Sequence, residues 1–301
     1  MAATRRAVIG GAAIGTAVLA LPGPALARGR YPWPLGVQLW SVAAELDRDV
    51  AGTLATLSRL GFREVETAGL HGVTPVAFRR AVADAGLRLV GVHLSMADLL
   101  ADPAGGVGIA RDLGARWLIC SSPRPDGPLA PGKEWIAAMA GAMTPDAWRA
   151  NAAALNRLGS AARTAGLGFG YHNHPFDLGR SGDRRGYDVI LGETDPAVVK
   201  LELDVAWAVA AGADPVALLA AHPERFRLLH VKGLPVAPRP GTMAADFTTA
   251  DLGSTDAIAW PPVFAAAWRA GVRHAFVEQE PPYRRPVFQS LDAAARFLQA
   301  L

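Results

Sequence analysis

The chain has 301 residues, 51% of them hydrophobic and 19% charged, with 30 Lys and Arg against 27 Asp and Glu and a single Cys. That apolar content excludes a disordered chain, and one Cys excludes an intramolecular disulfide framework. An excess of three positive charges, with Arg pairs scattered at 79–80, 184–185 and 284–285, excludes a continuous phosphate-binding surface, so no nucleic-acid partner is expected.

Residues 1–27 read as an export signal. Arg5 and Arg6 form a positive start, Ala7 to Leu21 an apolar run, and Ala25-Leu26-Ala27 a small-residue cleavage motif. The run is too short to span a bilayer comfortably and is ended by Pro22 and Pro24, so no stable membrane insertion is expected after cleavage. Thr4-Arg5-Arg6 fits a twin-arginine type of signal. Cutting after Ala27 leaves the mature chain at a net +1 and implies a periplasmic or secreted protein.

From 28 to 301 the chain reads as one domain. Short runs rich in Val, Leu and aromatics alternate with Ala/Leu/Arg stretches of helical period. In chain order the pattern predicts a strand at 35–40, a helix at 48–60, a strand at 64–68, a helix at 75–86, a strand at 88–94 and a helix at 105–114. It continues with a strand at 116–121, a helix at 144–165, a strand at 168–174, a helix at 186–194 and a strand at 199–205. A helix at 213–222, a strand at 227–232, a helix at 258–270, a strand at 275–280 and a helix at 287–300 complete it. Thr74-Pro75, Thr144-Pro145 and Asp214-Pro215 are helix starts, and Gly61, Gly86, Gly166 and Gly271 suit helix C-terminal caps.

This alternation predicts an α/β fold, a single-domain (β/α)8 TIM barrel. An open doubly wound sheet would need a glycine-rich phosphate loop after its first strand, where Leu39-Trp40-Ser41-Val42 stands instead. Gly105-Gly106-Val107-Gly108 is expected just before a helix but follows no strand. Two long connections, 122–143 and 233–257, fall on the face where barrels do chemistry.

The C-terminal ends of barrel strands converge on one mouth. The polar residues there are Gln38, Glu66, His93, His172, Asn173, His174, Glu202, Asp204, His230, Lys232, Glu278 and Glu280. Period-two spacing pairs His172 with His174, Glu202 with Asp204, His230 with Lys232 and Glu278 with Glu280 on common faces. Charged groups in apolar strands are costly to bury unless paired or bound to metal. Imidazole and carboxylate without an accessible thiol suit one divalent ion of the Mn, Co, Zn or Fe kind. Cys120 lies in an apolar run and is read as buried and inert. No G-x-S-x-G occurs, which removes that route to Ser-His-Asp hydrolysis.

At these residues the chain resembles the sugar phosphate isomerase/epimerase family, the xylose-isomerase-like barrels, over nearly all of residues 33–300. The matching segments are Leu35-Gly36-Val37-Gln38-Leu39-Trp40-Ser41-Val42, Gly61-Phe62-Arg63-Glu64-Val65-Glu66-Thr67-Ala68-Gly69 and His93-Leu94-Ser95. Further matches are Tyr171-His172-Asn173-His174-Pro175-Phe176, Glu193-Thr194-Asp195-Pro196, Glu202-Leu203-Asp204-Val205-Ala206-Trp207, Gly212-Ala213-Asp214-Pro215, His230-Val231-Lys232 and Phe276-Val277-Glu278-Gln279-Glu280. The resemblance implies one divalent metal held through Glu, Asp, His and Glu. The last three fall on Asp204, His230 and Glu278, and the first on His172, with His174 as the alternative ligand.

It further implies proton transfer by Glu278, Lys232 or His174, and a substrate pocket lined by Gln38, Glu66, His93, Asn173 and Glu280. Gly233 departs from the usual His-Val-Lys-Asp ending and removes a carboxylate. With His172 in place of a glutamate, only Glu278 remains of the two facing glutamates that exchange protons in the family's ketose epimerases. The implied activity is that of a metal-dependent isomerase or epimerase on a small carbohydrate, a sugar or keto-sugar, through an enediolate. A 3-keto-glycoside lyase or hydratase, or a non-catalytic sugar-binding protein, are the alternatives. An apurinic-site endonuclease on the same barrel would need further histidines; Trp207 stands at one expected position. Aromatics expected to be exposed, Trp135 and Trp148, leave a homodimer open.

Overall fold

The apolar runs become eight parallel strands: β1 (Gly36–Gln38), β2 (Glu64–Thr67), β3 (Arg88–Leu94), β4 (Trp117–Cys120), β5 (Gly168–His172), β6 (Lys200–Asp204), β7 (Phe226–Val231) and β8 (His274–Val277). The structure is a computed structural model that describes residues 30–181, 184–239, 241–242, 244, 248–253 and 256–301. Each strand pairs with its neighbours in sequence, and β1 closes the ring against β8 at Gly36–Phe276 and Val37–Val277. The predicted (β/α)8 barrel is therefore the observed one. Helices cover the outside and side chains fill the axis, so strands are buried on both faces and read as continuous apolar runs. Val90, Ile119, Leu228 and Phe276 plug the axis, separate from the larger core between strands and helices.

Helices begin where the sequence marks them. The side chains of Thr74, Thr144 and Asp214 accept hydrogen bonds from the N–H groups of Ala77, Ala147 and Val216, each ahead of a Pro in the first turn. Gly271 ends helix Trp260–Ala270 at φ +98°, a left-handed backbone that glycine adopts without a Cβ penalty.

Several expectations are corrected. Strands predicted to reach 40, 174 and 280 stop at Gln38, His172 and Val277. After β1 the chain turns at once into a 3-10 helix, Leu39–Val42, capped by the Gln38 side chain. After β5 Pro175 starts the short helix Pro175–Leu178. Gly105, Gly106 and Gly108 lie inside helix Pro103–Asp112, whose cap is Asp102, rather than ahead of it. The connection 122–143 carries helix Trp135–Ala142. Trp148 is not exposed but 1% accessible, its ring lying where a Cβ on Gly186 would stand. The export signal lies outside the described residues. Among the described residues no helix is long and apolar enough to cross a membrane.

Two register slips aim side chains at the axis. Val65 and Glu66 pair with Leu89 and Gly91, leaving Val90 as an extra residue on β3. Leu201 and Glu202 pair with Phe226 and Leu228, leaving Arg227 extra on β7. A bulge resets the alternation of faces. Val90 and His93 therefore both face the axis, and Leu228, His230 and Lys232 form one inward row, while Phe226 packs outside.

Candidate functional site at the barrel mouth

Above the apolar plug lie two polar layers. The deeper one gathers Gln38 from β1, Glu66 from β2, His93 from β3, His172 from β5, Glu202 from β6 and His230 from β7, all buried. Glu66 Oε2 accepts from Gln38 Nε2 at 2.8 Å and lies 2.9 Å from His93 Nε2 and 2.8 Å from His230 Nε2. Glu202 Oε2 lies 2.8 Å from His93 Nε2, 3.2 Å from His172 Nδ1 and 3.4 Å from His230 Nε2. Gly91 makes room for this layer, because a Cβ there would collide with Glu66 Oε1.

The upper layer is organised by Lys232, just past β7. Its Nζ lies 2.6 Å from Glu280 Oε1, 2.8 Å from Glu278 Oε2 and 3.1 Å from Asp204 Oδ2, with the Trp207 ring centroid 4.1 Å away. Glu278 Oε2 is also 3.0 Å from His230 Nδ1, so the His230 ring joins the two layers. Asp204 Oδ1 accepts from the Trp207 N–H and caps helix Val205–Ala210. Asn173 accepts from the Asp204 N–H through Oδ1 and donates to the Asp204 carbonyl through Nδ2, which ties the end of β5 to that of β6. His174 is packed by rings, its centroid 4.8 Å from Trp135, 5.5 Å from Phe176 and 5.0 Å from His172.

All the expected site residues thus converge on one end of the barrel, but in two groups. Asp204, His230 and Glu278 form one set of mutually close donors, and His93, His172, Glu202 and His230 another. His172 falls in the second. Glu202, which sequence reasoning placed at a strand end without a role, is at its centre. The signal was there in its two-residue spacing from Asp204, which puts both on the axial face.

The charges follow from burial and neighbours. Burial would raise the Glu66 carboxyl, but His93 and His230 reverse this and hold it at about 2. Burial opposes the charge on His93, yet Glu66 and Glu202 carry it up to about 9. His230 is likewise raised against its burial, by Glu202 and Glu278. Burial pushes the Glu202 carboxyl up, and Glu66 adds to it. Burial lowers His172, with His230 and His174 reinforcing it, and pushes His174 down to about 3 with help from Lys232. Both rings are neutral at pH 7, with a lone pair on one nitrogen. Burial would lower Lys232 and raise Glu278; the ion pairs between them outweigh it and keep both charged. Burial pushes Cys120 up to about 12, as its apolar run implied.

The two long connections reach the rim. Trp135 comes from the first. In the second, Gly233 bridges Ala250, and Thr249 Oγ1 donates to the Glu280 carbonyl at 3.0 Å while accepting from Gln279 Nε2. A Cβ at Gly233 would run into the Ala250 carbonyl. The residue that departs from the family pattern therefore lets this segment close on the rim.

The family model described as xylose isomerase-like TIM barrel matches residues 54–301. Among solved structures, a sugar phosphate isomerase/epimerase from Parabacteroides distasonis ATCC 8503 is 24% identical with a TM-score of 0.70, covering 89% of this chain and 94% of that one. L-ribulose 3-epimerase is 17% identical with a TM-score of 0.61, over 89% and 94% of the two chains. The IOLI protein with a binding zinc atom is 13% identical with a TM-score of 0.61, over 89% and 96%. No protein in the curated set matches. At these identities the likeness to solved structures is one of fold.

Proposed function

The chain belongs to the xylose isomerase-like TIM barrel family, and from that premise we propose that it is a divalent-metal-dependent isomerase or epimerase acting on a sugar or keto-sugar by proton abstraction beside a carbonyl. The observation that carries this reading is the convergence of Asp204, Lys232, Glu278 and Glu280 at the mouth with His230 directly beneath. The ligand set implied by resemblance, His172, Asp204, His230 and Glu278, comes from β5 to β8. Its fit rests on His230, whose Nδ1 faces Glu278 and Asp204 at 3.0 and 3.9 Å while Nε2 is left to donate to Glu66, as the second nitrogen of a metal-binding imidazole commonly does to a carboxylate. Asp204 Oδ2 has an ion pair but no hydrogen bond. When bound, the cation supplies positive charge that polarises the substrate and stabilises a developing enediolate.

The chain's own groups do the rest. The Glu278 carboxylate stays ionised and takes the proton from the carbon next to the carbonyl. Lys232 remains an ammonium and donates to the substrate oxygen on which charge grows. His174, neutral between Trp135 and Phe176, orients a hydroxyl through Nδ1, which has no hydrogen bond within the protein. Return of the proton to the neighbouring carbon completes an isomerisation. Where the carbon beta to the carbonyl, on the far side of the deprotonated carbon, carries a glycosidic oxygen, the same enediolate expels it, forming a carbon–carbon double bond as the proton taken by Glu278 passes to the departing oxygen. The imidazole at 172 favours this second reading, a 3-keto-glycoside lyase or hydratase, because it removes one of two facing glutamates. The basic start and cleavage motif of residues 1–27 support a periplasmic or secreted site of action.

The test is proton exchange followed by NMR in D2O with ketoses and 3-keto-glycosides. Exchange at one C–H is expected with the metal-loaded protein, and its loss in Glu278→Gln. Binding of free, phosphorylated and 3-keto sugars with no exchange, with Mn or Co added, would refute an enzyme and leave a sugar-binding protein.

A further inference from the structure

We infer that Trp135 heads an aromatic wall that binds the apolar part of the substrate, and that the substrate is a glycoside with a planar, apolar aglycone rather than a free sugar. This rests on the reading that the mouth binds a carbohydrate. Among the described residues the exposed large hydrophobic side chains are Trp40, Val76, Trp135, Val236 and Tyr283. They follow the C-terminal ends of β1, β2, β4, β7 and β8, so all stand at the mouth pole of the barrel. Exposed apolar side chains scattered singly need no explanation, but their gathering at one pole marks a binding surface.

Three observations tie this rim to the site beneath it. First, Trp135 stands edge-on to two rings of the mouth. Its centroid is 4.8 Å from that of His174 at 70° and 5.5 Å from that of Phe176 at 72°, while His174 and Phe176 are stacked at 9°. His174 is the ring that orients a substrate hydroxyl in the proposed mechanism, and Trp135 remains 42% exposed beside it. Secondly, the rim after β8 and β1 is fastened to site residues. The Trp40 N–H donates to Gln38 Oε1 at 3.1 Å, and Ser41 Oγ accepts from the Gln279 N–H at 2.9 Å. The Tyr283 hydroxyl donates to the Ser41 carbonyl at 3.0 Å. β8 and β1 lie across the ring from β4 and β5, so aromatic residues stand on both sides of the mouth.

Thirdly, the helix that Trp135 begins reads Trp-Ile-Ala-Ala-Met-Ala-Gly-Ala, without a hydroxyl, amide or charged side chain. A second sugar ring would need hydrogen-bond partners for its hydroxyls there. An aryl group needs only an apolar face, and aromatic rings pack edge-to-face or offset against one another. The aglycone therefore lies against Trp135, while the sugar meets Lys232 and the carboxylates within the mouth.

The experiment measures the affinity of methyl glucoside, phenyl glucoside and a disaccharide, which lack the carbonyl and do not react, and proton exchange in their 3-keto forms. It uses the metal-loaded full chain, Trp135→Ala and Trp135→Phe, with Tm to report that each variant is folded. The wild type is expected to bind phenyl glucoside about tenfold or more tighter than methyl glucoside. Trp135→Ala should lose most of that preference and Trp135→Phe should keep most of it. Equal affinity for the two glucosides, a preference unchanged in Trp135→Ala, or tighter binding of the disaccharide than of phenyl glucoside would overturn the inference. A dimer that dissociates in Trp135→Ala with no change in preference would overturn it too, and give the wall to a second copy of the chain. Each of these leaves the proposed function standing while the 3-keto sugars exchange a proton. A phenyl preference lost in Trp135→Ala, with no exchange in any 3-keto sugar, would sustain the wall and refute the enzyme.

Discussion

Replacing Glu66 with Gln isolates the charge at the centre of the deep layer while keeping its shape. Glu66 Oε2 serves Gln38, His93 and His230 at 2.8, 2.9 and 2.8 Å with no exposure to solvent. A hydrogen bond to a charged group contributes about 1.5–3 kcal/mol, and two are to imidazoles. The amide oxygen still accepts one bond and the rings can shed a proton, so a net loss of about 2–4 kcal/mol is expected in metal-free protein. At about 2–4 °C per kcal/mol, that lowers Tm by roughly 4–16 °C.

The assay is thermal unfolding by circular dichroism in EDTA at several pH values. Because His93 is raised from 6.5 to about 9 in the folded state, its contribution is complete below about pH 6.5 and is lost as pH rises through 9. The wild type should lose stability across that window, and Glu66→Gln should lose less. A Tm within about 1 °C of wild type at pH 6, with an unchanged pH slope, would refute the charge network as a source of stability.

Other consequences concern residues outside the deep layer. Burial pushes the Asp177 carboxyl up to about 8 although the Tyr171 hydroxyl donates to it at 2.7 Å. The folded state then keeps a proton that the unfolded state releases between about pH 4 and 8, so stability falls as pH rises through that range. Asp177→Asn should stabilise the protein at pH 7 by up to ~4 kcal/mol, with the gain gone near pH 4; equal urea midpoints at pH 7 would count against it. Gly233→Asp should drive Ala250 and Thr249 off the rim and speed proteolysis within 233–257, and an unchanged cleavage rate would show that the close approach is dispensable. Lys232→Met leaves three carboxylates without their ammonium; proton exchange should fall by at least ~100-fold, and exchange within about threefold of wild type would remove Lys232 from the chemistry.

Hydrophobic period, capping residues and Pro and Gly punctuation act over a few residues, so the amino-acid sequence by itself determined the eight strands, the eight principal helices and the order of the barrel. It also determined which polar side chains stand at strand ends. Their partners depend on the register of the closed ring, and that is set by all strands at once. The extra residues Val90 and Arg227 have no local mark, yet they decide that His93 and the row Leu228, His230, Lys232 face the axis. His93 meets Glu202 across 109 residues and Glu66 meets His230 across 164, contacts that no local spacing encodes. Only the tertiary structure divided the strand-end residues into two layers, buried Trp148 under Gly186 and turned Gly233 from a missing carboxylate into a point of close approach. In each case the cause is packing between segments distant in sequence, and for the barrel strands one residue of register chooses the neighbour.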